Sequence, residues 1–377
     1  MLRILHITAW YPHSRDPAEG RYIADRINGL NTWCENDVVH LHLKRTNATL
    51  FTESKESDSM TQFVLESRFL RWKWIERIAA RMILRQWKKR ASRNYDLVLF
   101  HVAYPSLVHT QRLRKVIQCP IIISEHWSAY HFNFHLSEGH SALPRLREMF
   151  NCDGLIVVSK ALGLDIARFS HHAELAFRCI PNMINSDIFH LTLNSQRAGF
   201  FVVNRWTDIK DPLTLLRAWQ IVQKDNSNLA LRIAGDGQML AAMKDFVKLN
   251  HLTENVSFLG SLIPQQVAAE MQQSLGVVCS SKYETFSISS AEALMCGTPL
   301  ISTPIPAIME YAGEHDAVFS SDHSPQALAD ALLHFIDLAQ TNFFDPQTIS
   351  ERATARFNSA DNSRVYFEAL QTFLSRA

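Results

Sequence analysis

Glu284 and Glu292 stand eight positions apart in SSKYETFSISSAEALMCGTPLIST, residues 280–303, where an apolar strand pattern gives way to a helical one. A strand exit into a helix N-terminus is where an α/β sheet meets its ligand, and also where glutamate sits for structural reasons. Ser289 and Glu292 fit the S-x-x-E pattern of a capping box, in which the glutamate bonds back to the cap amide. Glu284 precedes the helix and has no such task. Carboxylates accept hydrogen bonds from adjacent hydroxyls, so the pair suits a ribose and a hexose and would repel a phosphate. The amides of Phe286, Ser287 and Ile288 at the helix start suit the phosphate instead. Upstream, FVVNRWTDIKDPLTLLRAW (201–219) puts Arg205 and Lys210 between a strand and a helix whose Pro212 fits the first turn. A guanidinium fork and an ammonium point charge together match a diphosphate; taken alone, the two are equally readable as solvated surface cations.

Two further strand exits carry weaker signals. LRIAGDGQM (231–239) has two glycines but lacks the third of a dinucleotide fingerprint, so a tight turn with Asp236 capping the next helix is expected. NVSFLGSLIPQQ (255–266) ends in Gly260, which lets Ser261 and Leu262 pass close to a flat nucleotide base; an ordinary strand-to-helix loop fits the same residues.

These segments need a scaffold that collects strand ends on one side. Apolar runs alternate with helical patterns at RILHIT (3–8), DVVHLHL (37–43), YDLVLFH (95–101), PIIIS (120–124) and GLIVVS (154–159). They resume at FFVVN (200–204), LALRIAG (229–235), NVSFLG (255–260), LGVVCS (275–280), TPLIS (298–302) and AVFSS (317–321). Short continuous apolar strands separated by helices predict parallel sheets covered on both faces. A chain of 377 residues exceeds one ordinary core. The expected plan is an α/β domain over 1–188, a linker at 189–199, a second α/β domain over 200–360 and an amphipathic helix over 361–377, capped by Asp361 or Asn362.

Lysine and arginine (38) nearly balance aspartate and glutamate (37), which argues against nucleic acid as a partner. The six cysteines are scattered without metal-ligand spacing and read as reduced core residues of a cytoplasmic protein. The opening MLRILHITAWYP runs into a strand pattern without a signal peptide's long apolar region, and no stretch has the apolar length of a spanning helix.

Taken together, Arg205 with Lys210, AGDG, FLG, YETFSISSAEALMCGTPLIST and Glu310 after PIPAIM resemble the C-terminal domain of the retaining glycosyltransferases of family 4. AWYPHSRDPAEGRYIADRI, SEHWSAY, VVSKAL and IPNMIN resemble the family's N-terminal domain. The resemblance implies the GT-B fold: two facing Rossmann-like, doubly wound domains with an interdomain cleft, acceptor side first and nucleotide-sugar donor side second. It implies that Glu292 holds the donor ribose and Glu284 the hexose, while Arg205 and Lys210 grip the diphosphate. It also implies that Gly20 approaches the phosphates, and that His126 lies near the transferred sugar. Taken bare, His126 is a satisfied histidine at a strand end. Where the family has glycine, this chain has Asn204, Ser287, the pair Pro306 and Ala307, and Met183.

The implied reaction is metal-independent transfer of a hexose from a nucleotide-diphosphate sugar to a glycan or lipid-linked acceptor, in bacterial surface polysaccharide (lipopolysaccharide-type) synthesis. No cofactor and no metal are expected. The rival readings are a non-catalytic sugar-nucleotide-binding subunit and another GT-B enzyme such as a nucleotide-sugar epimerase or a phosphorylase. Residues 68–93, RFLRWKWIERIAARMILRQWKKRASR, hold ten lysines and arginines against one acid, with Ile75, Ile78, Met82 and Trp87 near one helical stripe. Such a helix suits peripheral contact with the inner face of the cytoplasmic membrane; it equally suits a domain helix that packs its stripe on the sheet.

Overall fold

A computed structural model describes residues 1–192, 196–224, 226 and 228–375. Part of the expected linker, 193–195, and the end of the expected C-terminal helix, 376–377, lie outside the described residues. The chain forms two compact units: Met1–Met183 with the C-terminal stretch that begins at Ser359, and Ile184–Asn358.

The strands of the first unit are β1 (Leu2–Thr8), β2 (Cys34–Lys44), β3 (Phe51–Glu56), β4 (Met60–Glu66), β5 (Leu97–His101), β6 (Ile121–Glu125), β7 (Gly154–Val157) and β8 (Arg178–Cys179). They form one sheet in the order β3-β4-β2-β1-β5-β6-β7-β8. All neighbours are parallel except β3 and β4, a hairpin whose outer strand is half-exposed to exposed throughout. The apolar runs of β1, β5, β6 and β7 are buried on both faces, as parallel strands between helical layers must be. Part of that cover comes from far along the chain. The helix Ser359–Leu374 lays Tyr366, Ala369, Leu370 and Phe373 against Ile4, Leu97, Leu99, Ile122 and Ile156. It starts at Ser359, so Asp361 and Asn362 sit within its first turn and are not its caps.

The second unit has β9 (Phe200–Val203), β10 (Leu231–Ala234), β11 (Val256–Gly260), β12 (Gly276–Cys279), β13 (Leu300–Ser302) and β14 (Ala317–Phe319). Its sheet is wholly parallel, in the order β11-β10-β9-β12-β13-β14. In both units the order reverses beside the first strand, between β1 and β5 and between β9 and β12. At such a switch point the loops leaving neighbouring strands run to opposite sides and open a crevice at the strand C-termini. The loops after β9 and β12 carry Arg205, Lys210 and Glu284; the loops after β1 and β6 carry Gly20 and His126.

The basic segment forms the helix Trp72–Lys89, which buries Ile75, Glu76, Ala79, Ala80 and Ile83. Ile75 and Ala79 pack with Leu43 of β2 and Leu70, and with Phe63 and Leu65 of β4. The buried stripe therefore runs through the alanines; Ile78, Met82 and Trp87, expected on it, are only half-buried. Among the described residues no helix is long and apolar enough to cross a membrane.

Candidate functional site

In the second unit, two loops are stitched together at the switch point. The Lys282 amide donates to the Ile209 carbonyl (2.8 Å) and the Ser280 hydroxyl to the Lys210 carbonyl (2.9 Å). The Lys210 ammonium reaches Oε1 of Glu284 at 2.5 Å, and the Ser281 hydroxyl donates to the same oxygen at 2.6 Å. Glu284 thus has the structural partners that its sequence position did not disclose. Its other oxygen takes no hydrogen bond among the described residues. Arg205 is exposed on the loop after β9.

What aims Arg205 is the Gly-Asp-Gly turn after β10. The Trp206 amide donates to the Asp236 carbonyl (2.7 Å), the Trp206 indole to the Ala234 carbonyl (3.0 Å), and the Met239 amide to the Trp206 carbonyl (3.1 Å). A Cβ on Gly235 would stand 1.9 Å from the Asn204 carbonyl oxygen, so the turn lies flat on the Arg205 loop only because it has no side chain there. Asp236 does not cap a helix: its Oδ1 accepts from the Gly237 amide at 2.7 Å, and the helix Leu240–Leu249 has Met239 at its N-cap.

The helix Ile288–Met295 starts from Ser287, which takes a left-handed conformation (φ 68°). That conformation is unfavourable for a residue with a Cβ by roughly 1–2 kcal/mol. A bond between the Ser287 and Ser290 hydroxyls (2.7 Å) and donation from the Tyr311 hydroxyl to the Phe286 and Ser287 carbonyls hold it in place. Phe286 is a core anchor, edge-on to Phe357 and tilted against Tyr311. The amides of Phe286, Ser287 and Ile288 take no acceptor among the described residues, as expected of a first helical turn.

With Ser287 as the N-cap, Ser289 lies inside the helix and no capping box forms with Glu292. The Glu292 carboxyl has neither a hydrogen bond nor an ion pair among the described residues. Part of its side chain reaches the surface, but protein surrounds most of it, and burial pushes its pKa from 4.5 up to about 8. After β11, Gly260 takes a positive φ, Ser261 is exposed and Leu262 half-buried. Glu310 follows the short helix Pro306–Met309, with Pro306 in its first turn.

In the first unit, Gly20 (φ 61°) starts the helix Arg21–Gly29, and a Cβ there would lie 2.5 Å from the backbone of Trp10. Two residues on, Tyr22 packs its ring on His126 with centroids 4.8 Å apart. His126 Nε2 lies 3.3 Å from the Ser124 hydroxyl, while the buried Nδ1 makes no hydrogen bond within normal geometry among the described residues. Burial, with the nearby Arg26 charge, holds its pKa well below the ordinary value, so the ring is neutral.

Glu125 sets the loop that carries His126, a role the sequence reading missed. It accepts from the amides of Ala103 (2.9 Å), His126 (2.8 Å) and Trp127 (3.0 Å) and from the Tyr130 hydroxyl (2.7 Å). The available signal was a carboxylate ending an otherwise apolar strand. A histidine cluster also exists in space where none exists along the chain: His13, Glu19 and His42.

Comparison with known proteins follows this geometry. Residues 20–188 match the model described as Glycosyltransferase Family 4, and residues 183–351 the model described as Glycosyl transferases group 1. The D-inositol 3-phosphate glycosyltransferase of Corynebacterium jeikeium is 27% identical over 271 residues, 63% of each chain. The chain spans 63% or less of the length of the curated relatives it matches. Among solved structures, a sucrose-phosphate synthase from Thermosynechococcus elongatus aligns with TM-score 0.78 and 16% identity, covering both chains completely. The Anabaena protein HepE, in complex with UDP and glucose, aligns with TM-score 0.74 and 15% identity over 99% of this chain and 100% of that one. These likenesses establish the GT-B fold. With both models matched in order over residues 20–351, the chain is a glycosyltransferase-family protein that carries a Glycosyltransferase Family 4 domain followed by a Glycosyl transferases group 1 domain.

Proposed function

We propose that the protein is a retaining glycosyltransferase that moves a hexose from a nucleotide-diphosphate sugar to a glycan or lipid-linked acceptor in bacterial surface polysaccharide assembly. The observation that carries this reading is the Lys210–Glu284 pair at the switch point, with Arg205 on the same loop as Lys210 and, in the next helix, a Glu292 carboxyl that has no partner among the described residues. Arg205 and Lys210 take the diphosphate, and the Phe286, Ser287 and Ile288 amides assist. Glu284 keeps one oxygen for a hexose hydroxyl, Glu292 meets the ribose, and the base lies on Ser261 and Leu262. Gly20 approaches the phosphates, and neutral His126 offers a hydrogen bond to the transferred sugar.

In the transfer, the acceptor oxygen bonds to the anomeric carbon on the face that the diphosphate leaves. The old carbon–oxygen bond breaks with its electrons going to the diphosphate, and the acceptor proton passes to a diphosphate oxygen. Two cations fixed beside that leaving group stabilise its developing charge without a metal in this step.

The acceptor side is supported by a cavity of about 480 Å³ in the first unit, lined in part by Arg71, Trp72, Trp74, Tyr104, Phe134 and Arg145. Phe69, Trp72 and Trp74 are exposed around it, at 61%, 62% and 53% of their full surface. Since the sheet takes the apolar stripe of the helix Trp72–Lys89, this aromatic end with its cations is the part offered to a cytoplasmic membrane surface or a lipid chain.

The test is thermal unfolding with nucleotide diphosphates and nucleotide sugars, starting with UDP because HepE was solved with it. A ligand at a hundredfold excess over Kd stabilises by about 2.7 kcal/mol. One base should raise the melting temperature, and Glu292→Ala or Arg205→Ala should remove the shift. No shift with any nucleotide overturns the donor site; a shift without transfer or slow donor hydrolysis favours a non-catalytic binding subunit.

A further inference from the structure

The cluster His13, Glu19 and His42 belongs to no part of the proposed donor site. His13 and Glu19 lie on the loop between β1 and the helix Arg21–Gly29, and His42 on β2. His13 Nε2 stands 3.1 Å and His42 Nδ1 2.8 Å from the same Glu19 oxygen. One ligand atom from each residue falls within 4.8 Å of the others. Both histidines are buried and Glu19 is half-buried.

The second nitrogen of His42 decides what the first can do. Its Nε2 lies 3.2 Å from Oε1 of Glu66, whose other oxygen takes the Arg15 guanidinium at 2.7 Å. Both carboxylates are acceptors and a neutral imidazole has one proton, so a His42 that donates from Nε2 to Glu66 has none left for Glu19. Nδ1 then presents a lone pair to a Glu19 oxygen 2.8 Å away. Two acceptors at that distance need a cation between them, either a second proton or a metal ion. An imidazole that ligates through one nitrogen and donates through the other to a carboxylate is the usual support of a histidine ligand. A third ring completes the surroundings: the centroid of His40 is 6.0 Å from that of His13 and 6.1 Å from that of His42. The Gln62 amide donates to its Nδ1 at 2.9 Å, which leaves the His40 proton on Nε2, a buried nitrogen that makes no hydrogen bond among the described residues.

We propose that His13, Glu19 and His42 bind one divalent transition-metal ion of the zinc class, with Glu66 orienting His42 and a water as the fourth ligand. Two imidazoles and a carboxylate suit zinc, whereas magnesium and calcium take oxygen ligands. The ion replaces the protons between the imidazoles and Glu19 and releases them to solvent. It fastens the loop 9–20 to β2, and so fixes the backbone that leads into Gly20. The inference stands whether or not the protein transfers sugars.

The full chain, stripped with chelator, mixed with one equivalent of Zn²⁺ and desalted, should retain about one ion per molecule by elemental analysis. Cobalt(II) in its place should give the strong visible bands of a four- or five-coordinate ion. Glu66→Gln should weaken zinc binding by about 10–100-fold, and Glu19→Gln or His42→Asn should abolish it while circular dichroism shows a folded chain. If these variants fail to fold, the wild-type cobalt spectrum still decides, since only weak six-coordinate bands would overturn the site. Loss of the ion on desalting overturns it, and so does equal zinc retention in folded variants, which would mean that other histidines hold the metal.

Discussion

Glu292 shows what a largely buried carboxyl costs when it has no partner among the described residues. An unpaired carboxyl kept largely from water holds its proton up to about pH 8, whereas the unfolded chain releases it near 4.5. Between those values the folded state binds more protons, so each rise in pH favours unfolding as far as this group is concerned. Glu292→Gln, which cannot ionise, should match the wild type near pH 4 and unfold at a higher temperature by a margin that widens up to pH 8. Equal melting temperatures across that range would mean that the carboxyl finds a partner in solution. With donor present, the order should invert: the ribose hydroxyls supply the missing partners, and the glutamine variant should lose most of the ligand-induced shift. The two glutamates were legible in the sequence as a pair of interest, but their local chemistry was not. A left-handed Ser287 moves the helix start and takes the capping box away from Glu292, while Lys210 reaches Glu284 across 74 residues.

At the scale of elements, the Arg205 loop depends on the Gly-Asp-Gly turn that lies flat against it. Gly235→Ala puts a methyl group against the Asn204 carbonyl and forces an alanine into φ near 106°. Both penalties act on the same loop, so we expect a loss of at least about 1–3 kcal/mol. Donor binding should weaken further than the stability loss explains, because Arg205 is re-aimed. A variant with normal nucleotide affinity would show that the arginine orients itself. The apolar parallel strands were readable because burial on both faces leaves uninterrupted β-branched and aromatic runs. The β3–β4 hairpin was not, since FTESKE is a polar, largely exposed edge that resembles a loop. In the helix Trp72–Lys89 the sequence pattern pointed to Ile78, Met82 and Trp87. Close approach to the sheet instead selects the small side chains Ala79 and Ala80, which carry little hydrophobic signal. The His13, Glu19 and His42 cluster has no sequence signature at all, because a loop folding back on β2 creates it.

At the scale of the molecule, the fold class followed from the count and rhythm of strands, and the two sheet orders agree with it. What the rhythm could not show is which unit the helix Ser359–Leu374 joins. Its face is the outer layer of the first unit's core, so Phe373→Ala should cost that unit about 3–5 kcal/mol. Unfolding monitored by proteolysis should show the first unit opening at lower denaturant while Ile184–Asn358 holds its own midpoint. A single shared transition that shifts as a whole would mean that the two units unfold together. The same helix sets an order of events during synthesis. At about 5–20 residues per second, the ribosome spends on the order of ten seconds on the second unit. For that interval Ile4, Leu97, Leu99, Ile122 and Ile156 lack part of their cover, so the part of the protein made first becomes complete only after the part made second.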